Sequence, residues 1–186
     1  MKSNTRQRRP HPWVAGLFIS AACVGPAQAQ QVGRYIGETA DGHQVKVDVA
    51  LDAKTGTYYI ASIGSGFTLV CRKTGHTQEW VLASYGHETP VDNGHADFLL
   101  RRADIYLESS LDFQNDNRIT GKIRAGLPRF ADKLSPPKAT EACNADNQKF
   151  SAELTSAETP DVPLSAPHRA TVRMGRDGRV ELTTVR

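Results

Sequence analysis

Between Asp104 and Arg124 apolar and polar residues alternate, break at Gln114-Asn115-Asp116-Asn117, and alternate again. Ile105, Leu107, Leu111 and Phe113 interleave with Tyr106, Glu108, Ser110 and Asp112; Ile119, Gly121 and Ile123 interleave with Arg118, Thr120, Lys122 and Arg124. A period of two belongs to a strand with one buried face. Both apolar sets fall on odd numbers, so they share a face only if paired positions sum to an even number. A three-residue loop, Asn115 to Asn117 with Asn117 left-handed, meets that condition. It pairs Phe113 with Ile119, Leu111 with Gly121 and Glu108 with Arg124, so that opposite charges meet on the wet face and large side chains cover the glycine on the dry one. This long hairpin sets the expectation of an all-β chain.

Residues 1–29 read as a secretory signal. Lys2, Arg6, Arg8 and Arg9 form a basic start, Trp13 to Val24 a short apolar stretch, and Ala27-Gln28-Ala29 a small-x-small cleavage site. About 12 apolar residues are too few for a membrane span, which needs roughly 20. Cys23 lacks the leucine three places before it that a lipoprotein signal carries, and Arg8-Arg9 lacks the hydrophobic residues that follow a twin-arginine pair. The expected location is therefore periplasmic or secreted, with no transmembrane segment. Of the 23 lysines and arginines four leave with the signal, so 19 remain against 20 acidic residues. A near-neutral mature chain gives no reason to expect nucleic acid as a partner. Cys71 and Cys143 are the two cysteines left, and an exported pair is expected to form one disulfide.

Some 157 residues remain, enough for one core. Turn signals recur every eight to twelve residues, and no helical period persists. Val45, Val47, Val49 and Leu51 follow Ala40-Asp41-Gly42. Thr57 to Ala61 follows Asp52 to Gly56, Phe67 to Cys71 follows Gly64-Ser65-Gly66, and Gln78 to Ser84 follows Thr74-Gly75-His76. Residues 86 to 95 read as a polar loop before Ala96 to Arg102. After Arg124 prolines interrupt the pattern, so Ala125 to Asn147 reads as a long loop with a helical turn at Lys138 to Ala142. Lys149 to Leu154 alternates again and is placed against the first strand, with Cys143 stapling it to the strand of Cys71. The fold expected is an antiparallel meander barrel or strongly curled sheet of about eight to nine strands. Residues 30–158 form the barrel-like domain and 159–186 a proline-rich linker and tail. In the tail Ala170 to Val185 forms a hairpin around Arg176-Asp177-Gly178, pairing Met174 with Val180 and Val172 with Leu182. Such a hairpin is marginal alone, so it either docks on the barrel or frays, and the tail is expected to be dispensable.

Metal-ligand types concentrate in Tyr85 to Asp97, where His87, Asp92 and His95 stand with Glu88 and Asp97, but their spacing fits no zinc or EF-hand signature. Gln114 to Asn117 lacks the glycine and late glutamate of a calcium loop. Gly64-Ser65-Gly66 lacks the spacing of a nucleophile elbow. His43, His76 and His168 sit in or beside turns and linkers. Tyr35, Tyr59, Trp80 and Tyr106, with Tyr58 and Tyr85, are the candidates for stacking on a sugar or an apolar ligand, although large aromatics also pack well on sheets. Arg118, Lys122 and Arg124, with Arg101 and Arg102, are candidates for attracting an anion, against which Glu108 and Asp112 stand as facing acids.

The run Gly33-Arg34-Tyr35-Ile36-Gly37-Glu38-Thr39 before Asp41-Gly42, and Cys143 ahead of Phe150 to Leu154, resemble small exported bacterial β-proteins. That resemblance supports the fold and implies no activity. The expected function is a non-catalytic binding or cell-envelope-associated module, its partner a small molecule, a glycan or an envelope protein, with no cofactor. The alternatives are a lipocalin-like carrier of a small apolar ligand and, behind it, a hydrolytic enzyme. The inward side chains are expected to be Tyr35, Val45, Val47, Val49, Leu51, Phe67, Leu69, Phe98, Leu100, Leu107, Leu111, Phe113, Ile119, Ile123, Phe150 and Leu154. Most are bulky, so the interior is expected to be filled, with binding on the outer face or the loop from Gly86 to His95.

Overall fold

The computed structural model describes residues 31–102, 105–115, 117–130, 141–157, 169–174 and 180–185. The expected signal segment, the linker Thr159 to His168 and the tip of the tail hairpin lie outside them. Among the described residues the fold is all-β, and eleven strands join in one curled sheet.

Two antiparallel meanders make up most of it. The first runs β1 (Gly33–Thr39), β2 (Gln44–Asp52), β3 (Thr57–Cys71) and β4 (Thr77–Pro90), each paired with the next. The second runs β5 (His95–Arg101), β6 (Tyr106–Asn115) and β7 (Arg118–Phe130). The turns at Asp41-Gly42, Asp52 to Gly56 and Thr74-Gly75 fall where the sequence puts them: Gly42, Gly56 and Gly75 hydrogen-bond back to Thr39, Asp52 and Cys71.

The two meanders do not follow on in one sheet order. A later strand, β9 (Gln148–Ser156), lies between β1 and β7, antiparallel to both. The short β8 (Glu141–Asn144) pairs with the ends of β3 and β7. Backbone pairing thus runs in a closed circuit through β3, β2, β1, β9, β7 and β8. At the seam Cys143 faces Cys71 on one side and Leu127 on the other. The Cys71–Cys143 disulfide forms there, across 72 positions of sequence.

The central hairpin keeps the expected register: Phe113 opposes Ile119, Leu111 opposes Gly121 and Glu108 opposes Arg124. Its loop differs. Asn115 pairs with Arg118, and the odd residue is taken up as a bulge at Gln114, so the connection is shorter by one than the sequence suggests. Gly121 is covered by the Phe150 ring from β9, which an added Cβ would meet at 2.8 Å.

Three expected loops are strand. Gly64-Ser65-Gly66 lies inside β3, because Ser65 is paired on both sides, with Val45 and Leu82, and ladder bonds on two edges outweigh local turn preference. Residues 86–90 belong to β4, and the pairing steps from Thr89 to Tyr85 while β3 advances only from Ile60 to Ser62. The surplus is absorbed as a bulge, so the loop shrinks to Val91–Gly94. Ala125 to Asn147 is also less loop than expected, with β7 continuing through the exposed Pro128 to Phe130 and Glu141 to Asn144 forming β8 instead of ending a helical turn.

The core spans the curled sheet. Tyr35, Val45, Val47, Val49, Phe67, Leu69, Phe98, Leu100, Leu107, Leu111, Phe113, Ile119, Ile123 and Phe150 are buried as expected, and Leu154 packs partly buried against them. The Tyr35 and Phe113 rings meet edge to face at 6.0 Å. Leu51 is a correction: it sits at the tip of the β2–β3 hairpin, beyond the reach of the opposing strands, and is 42% exposed. Ile60, Trp80 and Leu82, from expected strands, and Ile63, from the stretch between two of them, also join the core.

For the tail, the structure takes the docked of the two expected alternatives. Its hairpin, β10 (Arg169–Met174) and β11 (Val180–Val185), has the expected register, with Val172 opposite Leu182 and Met174 opposite Val180. It does not stand apart: β10 lies parallel to β4 and pairs Ala170 with Leu82 and Val172 with Ser84. Ala170 and Val172 are both buried in the common core.

Two outcomes test this architecture. Truncation after Glu158 uncovers the β4 edge and removes Val172, a side chain whose burial contributes about 1.5–3 kcal/mol. At roughly 2–4 °C per kcal/mol for a domain of this size, the melting temperature falls by about 5–10 °C; a smaller change contradicts the docking. Phe113→Ala leaves a cavity beneath Tyr35 and lowers the unfolding free energy in urea titration by about 3–5 kcal/mol.

Candidate functional site

Strand register arranges the solvent face of the second meander in rows. Leu99, Glu108 and Arg124 form one, Asp97, Ser110 and Lys122 the next, and Arg101, Tyr106, Gly126 and Asn144 a third towards the disulfide. Two clefts open on this face. One, of about 450 Å³, lies over Asp97, Glu108, Ser110 and Lys122. The other, of about 840 Å³, runs past Tyr106 and Asn144 over the disulfide seam to Arg72, Thr68 and Asp41. They meet at Arg124 and Asn147, which line both, and both are open to solvent.

Each central side chain of this groove is held in place. Glu108 accepts from Arg101 Nη2 at 2.6 Å and from Arg124 Nε at 2.7 Å, and Arg124 Nη2 also reaches it. The bond from Arg101 foremost, and that from Arg124, keep the Glu108 carboxyl below the usual glutamate range, against the opposing effect of burial. Tyr106 lies across Gly126, where an added Cβ would fall 2.6 Å from its ring. Only glycine allows that approach. Tyr106 Oη is 3.2 Å from the Asn144 carboxamide. With the amide oriented to suit all its neighbours, Asn144 also accepts from Arg72 Nε at 3.1 Å. Partial burial raises the Tyr106 phenol above its usual value, so it stays protonated. At the far end Gln148 donates to Asp41 at 2.6 Å, while its buried Oε1 has no partner among the described residues.

The aromatic candidates from the sequence do not gather. Tyr35 is fully buried and donates to the Gln31 carbonyl at 2.9 Å. Trp80 is buried with its indole N–H on Gln78. Tyr59 is half-buried beside Pro90. Tyr106 alone of the four lines the groove. The metal candidates do not converge either. His87 lies in the backbone of β4, its side chain outside the described set, and Asp92 is exposed in the turn before β5. His95 donates to carboxylates instead: its Nδ1 is 2.7 Å from Asp112 and its Nε2 3.3 Å from Asp97. Among the described residues no cluster of histidine, cysteine and carboxylate is arranged to hold a metal ion. Ser65 is buried and donates to its neighbour's carbonyl.

The sequence reading missed Arg72, Asn144 and Asn147. Nothing in the local pattern marks them; the groove exists because β8 joins strands distant in sequence. It also missed the tight turn Asp92-Asn93-Gly94-His95, closed by paired 2.8 Å backbone bonds, with Asn93 at φ 48° and Gly94 at φ 78°. The Asn-Gly dipeptide is its signal. No known protein family, curated protein or solved structure matches the chain.

The double carboxylate contact, with Asp112 the leading cause, raises the His95 pKa above 6.5. A raised histidine pKa adds stability that is complete below 6.5 and is lost as pH climbs through the folded value. The stability advantage of wild type over His95→Gln is therefore largest in mild acid and disappears at alkaline pH. In an NMR titration Asp112→Asn moves the His95 midpoint down; an unmoved midpoint contradicts the pairing.

Proposed function

We propose that the chain is an exported, non-catalytic binding module of the periplasm or cell surface, and that its ligand lies in the open groove across β6, β7 and β8. The observation that carries this is the groove itself: long, polar, open along its length, and built on paired strands beside a disulfide. Preformed concave sites with a few fixed polar groups are where proteins bind ligands. An open polar groove suits a segment of a polymer, such as a glycan, better than a small apolar molecule. The bulky side chains buried in the core favour this over the carrier reading. Glu108 is neutralised by two arginines and His95 by two aspartates, which favours binding over acid–base chemistry.

Mature protein on an oligosaccharide array, followed by calorimetry on the best ligand, tests the reading. Asn147 lines both clefts and is exposed, so Asn147→Trp obstructs the groove without removing a charge. The expected result is binding by wild type and at least a tenfold loss in Asn147→Trp at unchanged melting temperature. Equal binding by the two proteins overturns the groove assignment.

A further inference from the structure

Charge is distributed unevenly along the groove. Around Tyr106 stand Arg72, Arg101 and Arg124 with the single carboxylate Glu108, which is shared between Arg101 and Arg124. Arg72 has no carboxylate partner among the described residues; the described bond of its side chain is from Nε to the neutral Asn144. One end is acidic, with Asp41 and Asp146; at the other Asp97 is offset by Lys122 and by its contact with His95. The middle therefore carries uncompensated positive charge, and the Asp41 end carries acceptors suited to hydroxyl groups.

The remaining N–H donors of Arg72 form a planar fork that matches a carboxylate in two hydrogen bonds. Beside it Tyr106 is laid on the sheet over Gly126 and fixed by Asn144, so its ring orientation is set before any ligand arrives. A flat ring next to an arginine fork suits a sugar ring bearing an acid group: the C–H face of the sugar packs on the aromatic ring and the carboxylate meets the guanidinium. The acidic end at Asp41 and Asp146 disfavours a polymer charged on every unit, and favours one whose acidic sugars are flanked by neutral ones.

Resting on the groove reading above, we infer that Arg72, Tyr106, Arg124 and Asn144 form a subsite for a uronic acid, a sugar carrying a carboxylate, within a glycan whose neighbouring units are neutral. Arg72 supplies the charge-reading contact, Tyr106 the ring-reading contact, and Gly126 positions Tyr106.

The test uses mature full-length protein and a hyaluronan tetrasaccharide, in which glucuronate alternates with N-acetylglucosamine, beside the same oligomer with its carboxylates reduced to alcohols. Wild type is expected to bind the acidic form at least tenfold more tightly, with the difference shrinking as salt rises. Arg72→Gln erases the difference and leaves affinity for the reduced form unchanged. Tyr106→Ala weakens both forms alike, and thermal melts confirm that both variants are folded. Equal binding of the two forms by wild type overturns the uronate subsite but leaves the groove reading standing. Binding of neither form overturns the subsite, and the groove reading is then judged by the array and Asn147→Trp alone. An Arg72→Gln loss that is the same for both forms also overturns the subsite, since charge is then not what Arg72 reads.

Discussion

The seam at Cys71 and Cys143 is the constraint on which the rest of the molecule depends. A curled sheet of antiparallel strands has two edges that drift apart as it twists. Here the diverging ends of β3 and β7 are drawn together by four residues of β8, too short a strand to hold them by hydrogen bonds alone. The disulfide ties β8 to β3 covalently, and on the chain-entropy model closing so long a loop contributes about 4 kcal/mol. Glu141, at the start of β8, adds to this by accepting bonds from Lys73 N, Thr74 N and Thr74 Oγ1, which fastens β8 to the turn after β3.

Elsewhere on the sheet, on the face turned away from Tyr35, Val47 and Val49, the chain buries charge. Arg34 on β1 donates to Asp48 on β2 at 2.7 and 3.1 Å, and Ser62 on β3 donates to the same carboxylate. Arg34 and Asp48 are almost wholly out of water. Such a pair gives little net stability, because desolvation offsets attraction, but losing one partner alone costs about 3–5 kcal/mol. Its effect is on register. Three neighbouring strands must align for the network to close, and a slip of one residue leaves a buried charge alone. Lys46, one row along, lies 5.9 Å from the Tyr85 ring of β4 and carries the same alignment to the next strand.

How legible this was depends on how local the cause was. The Phe113–Ile119 and Val172–Leu182 registers follow from period-two alternation and short loops, and both were readable. The disulfide was readable because the expected signal takes Cys23 with it, and the two cysteines left offer one simple choice. Ser65 and Gly86–Pro90 were misread because glycine-rich and polar stretches look like loops until a partner strand lies on each side. The insertion of β9 between β1 and β7 was half readable: its pairing with β1 was expected, that with β7 was not. The groove was the least legible. Tyr106 was a candidate and Arg124 was considered, but Arg72, Asn144 and Asn147 come from segments far apart in sequence and meet only through β8.

Core and groove are two consequences of one closure. Drawing β3 and β7 together gives the interior a boundary, and the bulky set from Tyr35 to Phe150 is buried within it. Closure by a strand of only four residues, however, cannot continue the sheet smoothly. Beyond Asn144 the chain turns through Ala145 to Asn147 into β9, and the sheet surface stays concave where a full-length strand would have levelled it. Side chains from β3, β6, β7 and the β8–β9 turn face one another across that hollow without being packed together. Closing the sheet with so little chain leaves a hollow open to solvent beside the disulfide, and it is in that hollow that the proposed ligand would lie.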